Sequence, residues 1–189
     1  MKNVKVKIIS GLISASLLIP TMTTLAEETT NNPSNGQITK QQKVENKQNL
    51  KQYKATIAAK KQTIKQNHEI IVSLRKEVSE KRATIKSLIN DVKQNKKQLS
   101  KDDLSKIKTQ VQVIKDQTAA LVATKGTIKQ AFETIKEDVK NKNYQDAIAQ
   151  FDKIISIQNT RIDGLKKLNA DMDTLISLLK TALGNGKTT

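Results

Sequence analysis

Few side chains in this sequence are of the types that carry out catalysis or bind metals. The 189 residues contain one histidine, His68, and no cysteine, which excludes thiolate metal sites and a cysteine nucleophile. Asn169, Asp171 and Asp173 alternate like the first ligands of a calcium loop, but the glycine that such a loop requires is missing. The adjacent carboxylates at 102 and 103 stand at a predicted helix start, where negative charge is favourable. We therefore predict no metal, no cofactor and no enzymatic activity.

Positive charge is the chemistry that the sequence supplies in quantity. It has 34 Lys and Arg against 18 Asp and Glu, a formal charge of +16, and residues 37–99 hold 16 of the basic side chains but only five acidic ones. A long basic helix attracts polyanions, and lysine acts on them as a point charge. The candidate polyanion-binding residues are Lys40, Lys43, Lys47, Lys51, Lys54, Lys60, Lys61, Lys65, Arg75, Lys76, Lys81, Arg82, Lys86, Lys93, Lys96 and Lys97.

The same lysines also suit a second role, in which they only solvate a long helix and keep the protein monodisperse. If they bind a partner, we expect anionic envelope polymers or acidic proteins, with at most peripheral membrane contact. With three arginines and four aromatic residues in the chain, sequence-specific recognition of nucleic acid is not expected. Binding should then be non-specific and strongly dependent on salt.

The first 26 residues have the features of a secretory signal. Lys2, Lys5 and Lys7 precede an apolar stretch from Ile8 to Ile19, and a small-x-small pattern ends at Ala26. We predict Sec-type export, cleavage after Ala26, and a secreted or cell-wall-associated mature chain; an uncleaved membrane anchor is the alternative. Residues 27–37 are polar and predict a disordered linker, and residues 184–189 predict a flexible tail.

Apolar residues recur every seven positions, which is typical of helices packed in coiled-coil fashion. The row in the first predicted helix is unbroken: Leu50, Ile57, Ile64, Ile71, Val78, Ile85, Val92 and Leu99. A companion row contains Tyr53, Leu74 and Leu88 but is interrupted by Lys60, Asn67, Lys81 and Asn95. These interruptions could select a register or leave a groove for a partner.

Two further segments repeat the pattern. The second has Ile107, Ile114, Leu121, Ile128 and Ile135 in one row, with Leu104, Val111, Phe132 and Val139 beside it. The third has Tyr144, Phe151, Leu165, Met172 and Leu179 in one row, with Ile148, Ile155, Ile162 and Ile176 beside it. Ser100, with Asp103 three residues later, predicts a helix N-cap, and the polar residues 141–143 predict the next break.

These boundaries predict an all-α fold. Helices at about 38–98, 101–140 and 144–183 form one coiled-coil domain over 38–183. Because both connections are short, we expect an elongated antiparallel three-helix bundle with a protruding N-terminal helical arm. The same heptad faces could instead pair two copies of the chain, so a homo-oligomer remains an alternative.

Two resemblances add context. One helix of a tetratricopeptide unit is similar to the pattern of Tyr144, Ala147, Ile148, Phe151, Ile154 and Ile155, but no second copy follows at that family's repeat length, so these residues are expected to form bundle core. The signal segment, basicity and long helices resemble exported helical chaperones of the Skp type, which implies a holdase function. Our first prediction is a secreted, non-catalytic coiled-coil protein that binds anionic envelope components or protein partners through its lysine-rich helix. The holdase is the alternative.

Overall fold

The computed structural model describes residues 40–94, 99–124 and 126–185, and 95% of them are helical. The helices are α1 (Lys40–Gln94), α2 (Lys101–Ala123), α3 (Thr127–Lys140) and α4 (Tyr144–Asn185). These described ranges contain no strand, and three helices pack against each other, so the predicted all-α class is confirmed. The predicted signal peptide, the linker over 27–37 and residues 186–189 of the predicted tail lie outside the described residues.

Helix α2 begins at the predicted N-cap. Ser100 has an extended backbone (φ −61°, ψ 157°), and its Oγ accepts a hydrogen bond from the Asp103 amide at 3.0 Å. The same hydroxyl donates to Asp103 Oδ2 at 2.7 Å, and Asp102 pairs with Lys106 at 2.6 Å. The pair of carboxylates therefore stabilises the first turn, where the free backbone N–H groups lie.

The helix predicted over 101–140 is in fact two helices. Helix α2 ends at Ala123, where Thr124 Oγ1 donates to the Leu121 carbonyl at 2.8 Å, and α3 begins after Gly126. Gly126 has a φ of +96°, a left-handed conformation that glycine adopts without the steric cost of a Cβ atom. The heptad row 107, 114, 121, 128, 135 keeps its spacing across the break. Periodicity alone therefore does not reveal the interruption.

Helix α3 ends in a hydrogen-bonding pattern that normally uses glycine. The amide of Lys142 donates to the Val139 carbonyl at 3.1 Å, and the amide of Asn143 donates to the Asp138 carbonyl at 2.8 Å. This pair of bonds is the Schellman motif, whose C′ residue adopts a left-handed conformation. Here that residue is Lys142, with a φ of 61°, and it is the one non-glycine residue with positive φ among those described.

Replacing Lys142 by glycine is therefore expected to stabilise the protein by about 0.5–1 kcal/mol, because glycine adopts this φ without steric cost. The midpoint of thermal unfolding should rise by a few degrees, measured by circular dichroism. Asn141→Gly is the matched control, since Asn141 has an ordinary φ of −84° and the added flexibility should only destabilise. Equal shifts of the unfolding midpoint for the two variants would contradict the attribution of the gain to the positive φ of Lys142.

The described residues group into two compact units. Unit 2 contains α1 up to Ile64, α3, and α4 up to Ile155. Its buried cluster joins one residue of α1, two of α3 and two of α4: Ile64, Ala131, Ile135, Phe151 and Ile154. Ile57, Ile128, Phe132 and Ile155 are partly buried against this cluster. The residues that resemble a tetratricopeptide helix thus include core residues of unit 2.

Unit 1 contains the remaining parts of α1 and α4, together with α2. Its core is aliphatic apart from Met172, and α4 supplies the most completely buried side chains. The buried apolar residues are Ile71, Val78, Ile85, Ile107, Val111, Ile114, Leu121, Ile162, Leu165, Leu168, Met172, Leu175, Leu179 and Ala182.

The second core row of α4 differs from the predicted one. Of Ile148, Ile155, Ile162 and Ile176, only Ile162 is buried. The buried row is instead Ala147, Ile154, Arg161, Leu168, Leu175 and Ala182, at 8% exposure or less. Since α4 has apolar residues in more than two heptad rows, hydrophobicity alone does not identify the row that faces the core.

Helix directions within unit 1 follow from its side-chain contacts. Asn67 contacts Asn159, and Lys81 contacts Asp173, so residue numbers increase in the same direction along α1 and α4. Between α2 and α4 the order reverses: Gln110 contacts Asp171, whereas Leu121 lies beside Gly164. Helix α4 therefore runs in the same direction as α1 and opposite to α2.

Candidate polyanion-binding surface

Twelve of the sixteen candidate residues have described side chains. Lys96 and Lys97 lie outside the described residues, and Lys40 and Lys43 belong to α1 but have side chains outside the described part. Eight of the twelve are exposed: Lys47, Lys51, Lys54, Lys61, Lys65, Lys76, Lys86 and Lys93. The other four, Lys60, Arg75, Lys81 and Arg82, are half-buried. The structure therefore divides the basic residues of α1 into two groups with different surroundings.

Lys60 and Lys81 form ion pairs with α4. Lys60 Nζ donates a hydrogen bond to Asp152 Oδ1, and the two side chains form an ion pair. Lys81 Nζ lies 2.6 Å from Asp173 Oδ2 and also donates to the Asn169 carbonyl at 3.1 Å. The two lysine side chains are only 20% and 22% exposed. Because their charges are already compensated, they are poor candidates for binding an external polyanion.

These two ion pairs belong to a set of contacts that we call the polar ladder. In unit 2 it contains the Lys60–Asp152 pair and the Gln145 amide donating to the Tyr53 hydroxyl at 2.9 Å. In unit 1 it contains the Lys81–Asp173 pair and the Asn67 amide donating to Asn159 Oδ1 at 2.9 Å. Every pair joins residues 92 positions apart. The interruptions of the α1 heptad row at 60, 67 and 81 thus have polar partners on α4.

The residues that resemble the start of a calcium loop have packing roles. Asn169 is 5% exposed, and its amide donates to the Leu74 carbonyl and to Glu77 Oε2, each at 3.2 Å. The carbonyl of Asp171 accepts from the Gln110 amide at 3.0 Å, and Asp173 pairs with Lys81. Their alternation along α4 therefore places polar groups against α1 and α2.

All three arginines of the sequence lie in unit 1 and are at least half-buried. Burial lowers the pKa of Arg75, Arg82 and Arg161 below the ordinary arginine value. The positive charge of Arg161 lowers the pKa of Arg75 further. Arg161 is not among the candidate residues predicted from the sequence. The signal that could have indicated its burial is its position seven residues after Ile154 and seven before Leu168.

Four exposed lysines lie on one face of α1 in unit 2, and we call this set the lysine stripe: Lys47, Lys51, Lys54 and Lys61. At 3.6 residues per turn they fall within about 80° of the circumference of α1 and span about 21 Å of its axis. None of the four takes part in an ion pair in the described structure, and residues 46–68 contain no Asp or Glu. The stripe is therefore a run of uncompensated positive charge.

The exposed lysines of α1 in unit 1 are more scattered. Lys76 Nζ lies 4.0 Å from Glu80 Oε1, and both side chains are well exposed. Lys65, Lys86 and Lys93 form no ion pair among the described residues, but 21 positions separate the first two.

The described part of the chain contains neither a cluster of metal-ligating side chains nor a helix that could span a bilayer. No group of three or more His, Asp or Glu side chains is placed there to hold a metal ion, and His68 is half-buried on α1. Among the same residues, no helix combines the length and the hydropathy needed to cross a bilayer.

The chain matches no family model, no curated protein and no solved structure.

Proposed function

We propose that the protein is a secreted, non-catalytic helical protein that binds anionic polymers of the cell envelope through the exposed lysines of α1. The lysine stripe is the observation that supports this proposal. Its four ammonium groups share one helix face and have no carboxylate partner. Secretion rests on the predicted signal segment, and the coiled-coil packing of the helices rests on buried rows that repeat every seven residues.

The arrangement of the stripe favours a flexible polymer. Lys47 and Lys51 are four residues apart, and Lys51 and Lys54 are three apart, so neighbouring ammonium groups repel each other. A linear polyanion laid along the face relieves this repulsion and releases its own counterions. Lysine acts as a point charge without a fixed hydrogen-bond geometry, so polymers of several phosphate- or carboxylate-bearing types should bind.

Replacing Lys47, Lys51, Lys54 and Lys61 by glutamine is expected to weaken binding to long-chain inorganic polyphosphate. By counterion-release arithmetic, the slope of log K against log salt should become shallower by about three for four lost contacts. The measurement is fluorescence anisotropy of labelled polyphosphate over a range of NaCl concentrations.

The matched control replaces Lys108, Lys115, Lys166 and Lys167 by glutamine. These four are also exposed and free of ion pairs in the described structure, and their removal changes the net charge equally. The control should keep a slope close to that of the native protein. If both variants lose affinity to the same extent, overall charge and not the stripe is responsible, and the proposed site is wrong.

A holdase chaperone is the alternative function. Exposed Ile70 and Val72 on α1, at 44% and 49%, offer apolar contact for an unfolded client. The interrupted heptad row of α1 is a less favourable binding site for a client, because Lys60, Asn67 and Lys81 already contact α4. Suppressed aggregation of a denatured protein at stoichiometric ratio would favour the chaperone, and no effect at large molar excess would remove it.

A further inference from the structure

The two tyrosines of the sequence meet in unit 2. Tyr53 of α1 and Tyr144, the first residue of α4, have stacked rings whose centroids lie 5.6 Å apart and whose planes are inclined by 26°. The Gln145 amide donates to the Tyr53 hydroxyl at 2.9 Å and so holds one of the rings. The chain has only two tyrosines and two phenylalanines, and no tryptophan, so this contact gathers much of its aromatic surface in one place.

A pocket of about 260 Å³ lies beside the ring pair. The two tyrosines that line it are half-buried, whereas its other lining residues are exposed: Lys142, Asn143, Gln145 and Asp146. The pocket therefore combines aromatic rings with an ammonium group, two amides and a carboxylate. Its volume lies just below the range of roughly 300–1,000 Å³ for small-molecule sites, which suits one ring of a ligand and not several.

Three polar side chains of the pocket remain available to a ligand. Lys142, Asn143 and Asp146 form no side-chain hydrogen bond and no ion pair with any residue that the structure describes. Lys142 also has a positive φ of 61°, a conformation that costs stability in a residue other than glycine and that is concentrated at functional sites. The turn between α3 and α4 thus keeps a lysine side chain at the pocket where glycine would be more stable.

These groups fit a sugar ring better than a phosphate or a nucleic-acid base. The C–H groups on one face of a sugar ring pack on the face of a tyrosine, and its hydroxyl groups need both donors and acceptors. Lys142 supplies donors, Asp146 supplies acceptors, and the amide of Asn143 supplies both. The Asp146 carboxylate repels a phosphate, and the tyrosines stack on each other without a gap for a base between them.

We propose that this pocket binds one sugar ring of an acidic polysaccharide whose anionic groups contact the lysine stripe. Tyr53 directly precedes Lys54 of the stripe, so the pocket and the stripe are neighbours within unit 2. The inference rests on the proposed binding of envelope polymers and names the class of polymer. The stripe attracts any polyanion, whereas the pocket distinguishes a polysaccharide from a polyphosphate.

Fluorescence anisotropy with labelled oligogalacturonate, a chain of carboxylated sugar rings, and with labelled polyphosphate tests the proposal. Tyr144→Leu should weaken oligogalacturonate binding by about tenfold, the effect of one lost aromatic contact, and should leave polyphosphate binding within about twofold of the native value. Tyr144→Phe keeps the ring, and the Tyr144 hydroxyl makes no hydrogen bond in the described structure, so this variant should bind like the native protein. Circular dichroism checks that both variants fold.

Lys142→Gly separates binding from folding. It removes a side chain from the pocket and relieves the positive φ, so it should weaken oligogalacturonate binding by about threefold although it unfolds at a higher temperature. Lys140→Gln is the matched control, because Lys140 is exposed at the end of α3, does not line the pocket, and carries the same charge. It should leave oligogalacturonate binding within about twofold of the native value.

Several results would overturn the proposal. Unchanged oligogalacturonate binding in Tyr144→Leu, or an equal loss for oligogalacturonate and polyphosphate, would remove the pocket as a sugar site. A larger loss for single-stranded oligothymidylate than for oligogalacturonate would assign the rings to nucleic-acid bases. In each of these cases a weakened binding of polyphosphate by the glutamine variant of the lysine stripe would leave the proposed function standing. If that variant binds both polymers like the native protein, the proposed function and the role of the stripe are both wrong.

Discussion

Replacing Phe151 by alanine is expected to lower the free energy of unfolding by about 3–5 kcal/mol, the usual cost of removing a fully buried aromatic ring. Phe151 is 1% exposed and lies in the unit 2 cluster with Ile64, Ala131, Ile135 and Ile154. Two members of this cluster come from α3 and one from α1. The cavity left by the ring therefore removes contacts among three helices at once, and the neighbouring aliphatic side chains fill it only in part.

Phe132→Ala is the matched control, because it removes the same side chain from a position that is only partly buried against the same cluster. Phe132→Ala should lower the free energy of unfolding clearly less than Phe151→Ala does. Urea unfolding monitored by circular dichroism measures both, and native-state hydrogen exchange should show the loss of protection in α3. Equal costs for the two substitutions, or a cost below about 1 kcal/mol for Phe151→Ala, would contradict the observed core.

Reversing the charge of Lys81 is expected to destabilise unit 1 by about 2 kcal/mol. Lys81→Glu removes the 2.6 Å ion pair with Asp173 and the hydrogen bond to the Asn169 carbonyl, and it places two carboxylates together. The lysine side chain is 22% exposed and that of Asp173 is 61% exposed, so the effect should lie between those of surface and buried ion pairs.

The double variant Lys81→Glu, Asp173→Lys should recover most of this loss, since it restores an ion pair with reversed polarity. Full recovery is not expected, because glutamate cannot donate to the Asn169 carbonyl. Lys86→Glu is the control, as Lys86 is exposed and unpaired in the described structure and should cost less than about 0.5 kcal/mol. If a double-mutant cycle shows no coupling free energy between positions 81 and 173, the Lys81–Asp173 ion pair does not contribute to stability and this prediction is wrong.

The interrupted heptad row of α1 was only partly predictable from the sequence. Lys60, Asn67 and Lys81 depart from an apolar row, and the sequence is compatible with two explanations, the selection of a register or a groove for a partner. The matching residues on α4, Asp152, Asn159 and Asp173, are also spaced in sevens, but nothing local links the two sets. Only the packing of α1 on α4, with residues 92 apart brought together, shows that the interruptions are paired.

The break between α2 and α3 shows why the helix limits were only partly predictable. Ser100 and residues 141–143 carry strong local signals, a side-chain cap and a polar run, and α2 and α4 begin beside them. Gly126 was the one signal of the third boundary, and a single glycine is tolerated within many helices. Gly164, by contrast, lies within α4. One glycine therefore lies at the break between α2 and α3, whereas the other does not interrupt its helix.

By itself the sequence determined the helical class, the seven-residue spacing of the core and the concentration of basic residues near the first helix, because these properties depend on composition and on near neighbours along the chain. The tertiary structure decided which basic residues remain free. Lys60 and Lys81 are neutralised by α4, whereas the lysine stripe remains exposed and Arg161 is buried in an apolar row. The physical reason is that a side chain's charge compensation depends on groups some 90 residues away, and only packing brings those groups within hydrogen-bonding distance.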